Sequence, residues 1–373
     1  THIKLNSIAN ITMGQSPNPE TVIDFSTEGL PLIQGNSDIK NGKIFSKKNT
    51  VGLKLKKCKK DDILFTVRAG VGDVYFADKE ACIGRGFCSI RINNPQLNNS
   101  KFVYYYLQKY KPKWKQISQG TTFDSINSPH INNLLIPKKS FEEQNFIGEY
   151  FSNLDKLIHN TQRELELVEN YKKDMLHKIF NQKIRFKDDN GNDYPEWEIT
   201  KLSNVLTYGN KNRVQDTSKY NKISVKLNLK GLDFFNSKVK LQDTRPFYIR
   251  DEGEIIIGKQ NLTKGSLAIV EKEFAGCICS NAIMSFKSEI NKFIYYYISR
   301  DQFLNTVKQH ETGSAQKEIS EKDFLNLKFS KPSNEEINKI TIFFTNLDTE
   351  ILNLKNSLKS LNDLKKDMLE KMF

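Results

Sequence analysis

Two stretches of the chain carry an apolar stripe at helical spacing. Leu154, Ile158, Thr161, Leu165 and Val168 recur at intervals of four and three residues, and Leu347, Ile351, Leu354, Leu358 and Leu361 repeat that rhythm. Charged residues such as Lys156, Arg163, Glu166 and Lys355 fall off the stripe. The spacing predicts helices over 142–180 and 335–373 with an a/d seam. A helix lying on its own globule satisfies the same pattern. Pairing of the two helices is favoured because both need the same kind of partner. Elsewhere short apolar runs alternate with turns. DDILFTVRAGVGD (61–73) and EGEIIIGKQNLTKG (252–265) share an outline of acidic turn, apolar strand and basic glycine-containing loop. ACIGRGFCSIRI (81–92) and GCICSNAIMSF (276–286) read as β-structure. The tyrosine-rich runs at 102–107 and 293–298 are expected to begin short helices. QGTTFDSI (119–126) and TGSAQKEI (312–319) each form a glycine-hydroxyl turn.

These pairs reflect an internal duplication. Gly120 to Phe180 aligns with Gly313 to Phe373 without a gap, with 24 of 61 positions identical. Upstream, FVYYYL matches FIYYYI, and KLNSIANITMG (4–14) matches KLSNVLTYGN (201–210), with small changes of offset. The chain is therefore globule, helix, globule, helix. The expected boundaries are 1–141, 142–184, 185–334 and 335–373. The fold class expected is α+β: two mixed α/β globules in a pseudo-twofold repeat, separated by two long antiparallel helices forming a coiled coil. The 28 helical residues 153–180 would span about 42 Å, roughly a dozen base pairs. The globule interiors, about 15–100 and 212–292, have diverged, which suggests that they recognise different things.

Charge gives this layout a partner class. Among 373 residues, 57 Lys and Arg oppose 44 Asp and Glu, a formal charge of +13. Both halves are basic, and seven lysines fall between Lys47 and Lys60. Such a surface attracts a polyanion, double-stranded DNA above all. No apolar run is long enough for a membrane span, and no secretory signal is visible, so a cytoplasmic location is expected. Five cysteines without a CxxC pair predict buried, reduced thiols rather than disulfides or a zinc site.

Loops rich in Arg, Lys, Asn, Gln, Ser and Thr are the material that contacts bases and phosphates. In the first globule the candidates are Asn36, Lys40, Lys57, Arg68, Arg85, Gln119, Thr121 and Thr122. In the second they are Arg213, Lys226, Lys259, Gln260, Asn261, Lys264, Asn281 and Gln316. Arg68 and Arg85 stand out as arginines beside glycines in a lysine-dominated chain. The matched tyrosines 104–106 and 295–297 point to a shared place in the core. Trp114, in KYKPKWKQ, fits surface contact and packing equally. Catalytic signals are absent: Gly70-Val-Gly72 and Gly84-Arg-Gly86 lack the third glycine of a dinucleotide loop, and the histidines show no metal-binding spacing. No metal site is expected.

The stretch GTTFDSINSPHINNLLIPKKSFEEQNFIGEYFSNLDKLI (120–158), its looser second copy ending KPSNEEINKITIFFTNLDTEI (331–351), and RFKDDNGNDYPEWEITKLSNVL (185–206) resemble the DNA specificity (S) subunit of type I restriction-modification systems. Ile337 stands where that family often has Gln. The first copy lacks a YPEWE-like lead-in. Either the N-terminus is trimmed, or the chain's end completes the first domain. The resemblance implies that each globule is a target recognition domain reading one half of an asymmetric bipartite site. It further implies a non-catalytic subunit without a cofactor, whose helices set the gap and dock two modification (methyltransferase) subunits. Those partners would use S-adenosylmethionine, and restriction subunits reached through them would use ATP and Mg²⁺. An enzyme with a concealed nuclease or methyltransferase site, and a helical protein-binding scaffold, are the alternatives.

Overall fold

The computed structural model describes residues 1–24, 28–52, 56–68, 70–118, 125–235, 245–311 and 318–373. The chain divides into two compact units. Unit 1 is Thr1–Arg163 together with Leu354–Phe373, and unit 2 is Glu164–Asn353.

The centre of unit 1 is an antiparallel sheet of β1 (Ala9–Met13), β2 (Ile63–Thr66), β3 (Val74–Phe76) and β4 (Phe87–Ile92), ordered β3-β2-β4-β1. Every side chain of β2 is buried, so its apolar run suits a central strand covered on both faces. The acidic turn before it has a structural task. Asp62 is buried and accepts from Ser89 Oγ at 2.8 Å and from Arg91 Nε and Nη2, both at 2.7 Å. A second sheet includes Leu30–Ile33 and Ala81–Ile83, paired in parallel.

The tyrosine run lies in α1 (Ser100–Ser118), far longer than the short helix expected. Pro112 lies inside it. Tyr106, Tyr110 and Trp114 fall at spacings of four along one face, the two tyrosine rings tilted against each other and Tyr110 edge-on to Trp114. Trp114 is buried, which settles it as core. Tyr105, Tyr106, Tyr296 and Tyr297 are buried as well.

Helix α2 (Phe141–Phe180) runs from unit 1 into unit 2. Unit 2 rebuilds the sheet from β5 (Thr207–Tyr208), β6 (Ile255–Gly258), β7 (Leu267–Ile269) and β8 (Ile283–Lys287), ordered β5-β8-β6-β7. Glu254 occupies the place of Asp62 and accepts from Ser285 Oγ at 2.6 Å. The second tyrosine run forms α3 (Asn291–Ile298), and α4 (Asn334–Met372) closes the chain. The lead-in resembling a linker is tied to α4. Glu336, fully buried, accepts from Trp197 Nε1 at 2.9 Å and from Arg185 Nη2 at 2.9 Å.

Within each unit the segments of α2 and α4 pack antiparallel. In unit 1, Phe151 stacks on Phe373 with centroids 6.1 Å apart, and Asp155 pairs with Lys365 at 2.6 Å while accepting from Tyr105 Oη at 2.9 Å. In unit 2, Phe344 stacks on Phe180 at 6.0 Å, and Asp348 pairs with Lys172 while accepting from Tyr296 Oη at 2.6 Å. The same contacts recur with the two helices exchanging roles. The fold class is therefore the expected one, two mixed α/β globules with two long helices. Each globule uses the end of the helix that belongs to the other repeat. Phe373, Met372, Leu369 and Met368 pack on the core of unit 1.

The seam does double duty. Leu154, Leu165, Leu347 and Leu358 are buried. Leu154 belongs to the core of unit 1 and Leu347 to that of unit 2. Ile158 and Leu361 pack on the first core and Val168 on the second, while Ile351 and Leu354 are half-buried. Helix pairing and packing on a helix's own globule thus occur together.

Candidate nucleic-acid interface

The central sheet of unit 1 ends in a three-way junction. The β2–β4 ladder pairs Thr66 with Phe87, and one residue further Val67 N donates to Gly86 O at 2.8 Å. Ile126 N donates to Val67 O at 2.8 Å, bringing in a third segment of the chain. Arg68 and Arg85 lie one residue further along each segment, Arg68 in a bend and Arg85 in the turn closed by Phe87 N donating to Gly84 O at 3.1 Å. Both are exposed, and among the described residues neither guanidinium has an ion-pair partner.

Glycine fixes this junction through close approach. A Cβ at Gly86 would lie 1.9 Å from Gln34 O, and one at Gly14 would lie 2.0 Å from Gly84 O. The Gly84-Arg85-Gly86 run is thus a crossing of chain segments, with Arg85 held outward between two contacts that no larger residue could make. Asn36, in the neighbouring turn, is engaged internally: its Nδ2 donates to Asp73 Oδ2 at 2.7 Å, and Lys111 also pairs with Asp73.

Unit 2 has the same junction with different residues. Gly258 pairs with Ile283, Lys259 N donates to Ala282 O at 3.1 Å, and Ile319 N donates to Lys259 O at 3.3 Å. Gln260 and Asn281 lie one residue further along, each in a turn and each exposed. Lys259 is half-buried and pairs with Glu321 at 3.4 Å, which also meets Lys211 at 3.4 Å. Asn281 and Lys259 line a cleft with Lys211, Tyr248, Arg250 and Glu321.

The remaining candidates are dispersed. Lys40 lies over the exposed Phe45 ring at 4.1 Å. Lys57 faces Glu80 at 3.7 Å, and Lys226 pairs with Asp233 at 2.7 Å. Arg213 is exposed in the strand Arg213–Val214. Asn261, half-buried, precedes the 3₁₀ turn Leu262–Lys264, in which Lys264 is exposed. Gln119, Thr121, Thr122 and Gln316 lie outside the described residues.

The correspondence of Gln260 and Asn281 with Arg68 and Arg85 is what sequence comparison missed. Pairing Thr66 with Gly258 needs an offset of 192, whereas pairing Phe87 with Ile283 needs 196. A gap therefore separates the two strands, and only the shared hydrogen-bond register aligns them.

Among the described residues, no group of three or more His, Cys, Asp and Glu could hold a metal ion, and no helix is long and apolar enough to cross a membrane. All five cysteines are buried and unbridged. Burial pushes the Cys58 thiol up to about 11 and raises those of Cys82, Cys88, Cys277 and Cys279.

The family described as "Type I restriction modification DNA specificity domain" matches the chain twice, over residues 1–170 and 194–363. A putative type I restriction enzyme specificity subunit of Methanocaldococcus jannaschii is 36% identical over 178 residues, covering 48% of this chain and 41% of that protein. A putative type I specificity subunit of Mycoplasma pneumoniae is 28% identical over 122 residues, covering 32% of each chain. These matched stretches thus span less than half of either relative. The crystal structure of the type I restriction-modification S subunit from M. genitalium superposes with a TM-score of 0.64 at 18% identity, over 100% of this chain and 96% of that one. A structure concerned with assembly and conformational transition of a type I restriction-modification system gives 0.51 at 17% identity, over 100% and 97%. At such identity the structural likeness speaks for the fold.

Proposed function

Since this chain belongs to the type I restriction-modification DNA specificity family, we propose that each of its globules reads one half of an asymmetric bipartite DNA sequence. The observation that carries this is the repeated junction with unlike occupants: one scaffold, with Arg68 and Arg85 in one copy and Gln260 and Asn281 in the other. A duplicated scaffold that kept its backbone bonds and changed its exposed side chains suits two readers of different sequence. The target recognition domains are the two globules. The long helices set the unread gap and dock two methyltransferase subunits, which supply S-adenosylmethionine chemistry. Restriction subunits, reached through them, supply ATP- and Mg²⁺-dependent translocation and cleavage in the cytoplasm. The chain itself positions the complex and performs no chemical step.

Sequencing the methylated bases in a host that expresses this chain with its methyltransferase partner tests the reading. The expected motif is two short, different half-sites at a fixed separation. A single contiguous motif, or no motif, would overturn it. Binding in gel shifts should also weaken steeply with salt, as phosphate contacts require.

A further inference from the structure

Resting on that reading, we infer that the two junctions are equivalent base-reading slots, and that the Arg68/Arg85 slot selects guanine whereas the Gln260/Asn281 slot selects adenine. The equivalence is one of backbone geometry. In each unit one further backbone hydrogen bond joins the central strand to its partner beyond the ladder, and a third segment, at Ile126 or Ile319, closes the junction. Arg68 and Arg85, like Gln260 and Asn281, lie one residue outside that bond, so each junction carries two exposed side chains in the bends and turns just beyond its ladder.

The chemistry of the occupants then differs in kind. A guanidinium offers parallel donors that match the O6 and N7 acceptors of guanine. A carboxamide offers one donor and one acceptor, which match N7 and the N6 amino group of adenine. Arg68, Arg85, Gln260 and Asn281 are all exposed. Among the described residues, Arg68 and Arg85 have no ion pair to compete with a base. The foundations differ too. Arg85 sits between glycines pressed against Gln34, whereas Asn281 sits between Ser280 and Ala282 and its backbone N–H donates to Pro246 O at 3.0 Å.

The test exchanges the occupants. The full chain, assembled with its methyltransferase subunits, selects duplexes from a randomised library as wild type, as R68Q/R85N and as Q260R/N281R. In R68Q/R85N, guanine preference at one or two positions of one half-site should shift toward adenine by about 5- to 150-fold per position, with the other half-site and the gap unchanged. Q260R/N281R should make the reverse change in the other half-site. If either double variant fails to fold, Arg85→Ala or Asn281→Ala decides in its place, each flattening one position of its own half-site. Variants that return the wild-type half-sites unaltered would overturn the slot assignment and leave the DNA-reading function standing. So would variants that both alter the same half-site. A wild-type complex that enriches no sequence would overturn both.

Discussion

At the scale of single residues, the protein spends small and buried groups on holding its junctions still. Gly86 shows how narrow the tolerance is. A Gly86→Ala substitution places a methyl group against the Gln34 carbonyl, and the backbone of the 34–36 turn or of the strand must move. The expected cost is about 1–3 kcal/mol in chemical denaturation, and unchanged stability would show that the crossing is looser than described. The thiols make a second case. With burial raising all five, the folded protein should resist iodoacetamide at pH 8, and all five should react once denatured. Mass spectrometry of the alkylated chain checks this, and a thiol that reacts in the folded state would mark a local opening. Cysteine burial was legible from odd number and spacing alone. The role of Gly84-Arg85-Gly86 was not, because a close approach depends on Gln34, fifty residues away, and leaves no local pattern.

At the scale of elements, the helices were the most legible part of the chain. Their stripe of Leu and Ile, repeated in both copies, falls inside the helices Phe141–Phe180 and Asn334–Met372. Helix α1 was less legible. Pro112 argues locally for a break, and only the buried face of Tyr106, Tyr110 and Trp114 supplies the packing that holds the helix through it. The recurring Leu-Asp and Lys-Lys-Asp-Met runs gain a physical meaning here. Asp155 of the first run meets Lys365 of the second copy's helix end, and Asp348 meets Lys172. A double-mutant cycle on Asp155→Ala and Lys365→Ala should return a coupling of about 1 kcal/mol, and the Asp348/Lys172 cycle a similar one. Additive effects in either cycle would mean that the pair contributes nothing to the docking of helix on helix.

At the scale of the whole molecule, the contact boundaries at Arg163/Glu164 and Asn353/Leu354 fall inside both helices. Under the proposed function these are the places where length can be added without entering either globule. Inserting seven residues at both points keeps the seam in register and adds about 10 Å, roughly three base pairs. The recognised motif should keep its half-sites and gain about three unread positions, read by the same methylated-base sequencing. An unaltered gap would remove the helices from that role. The division also bears on the order in which the protein is made. Unit 2 is one continuous stretch, whereas unit 1 needs the last twenty residues beside the first 163. On the ribosome, the half whose synthesis starts first is therefore the half that must wait. Its aromatic core stays without Phe373 and its neighbours until all of unit 2 has been synthesised, and the usual N-to-C order of maturation is reversed.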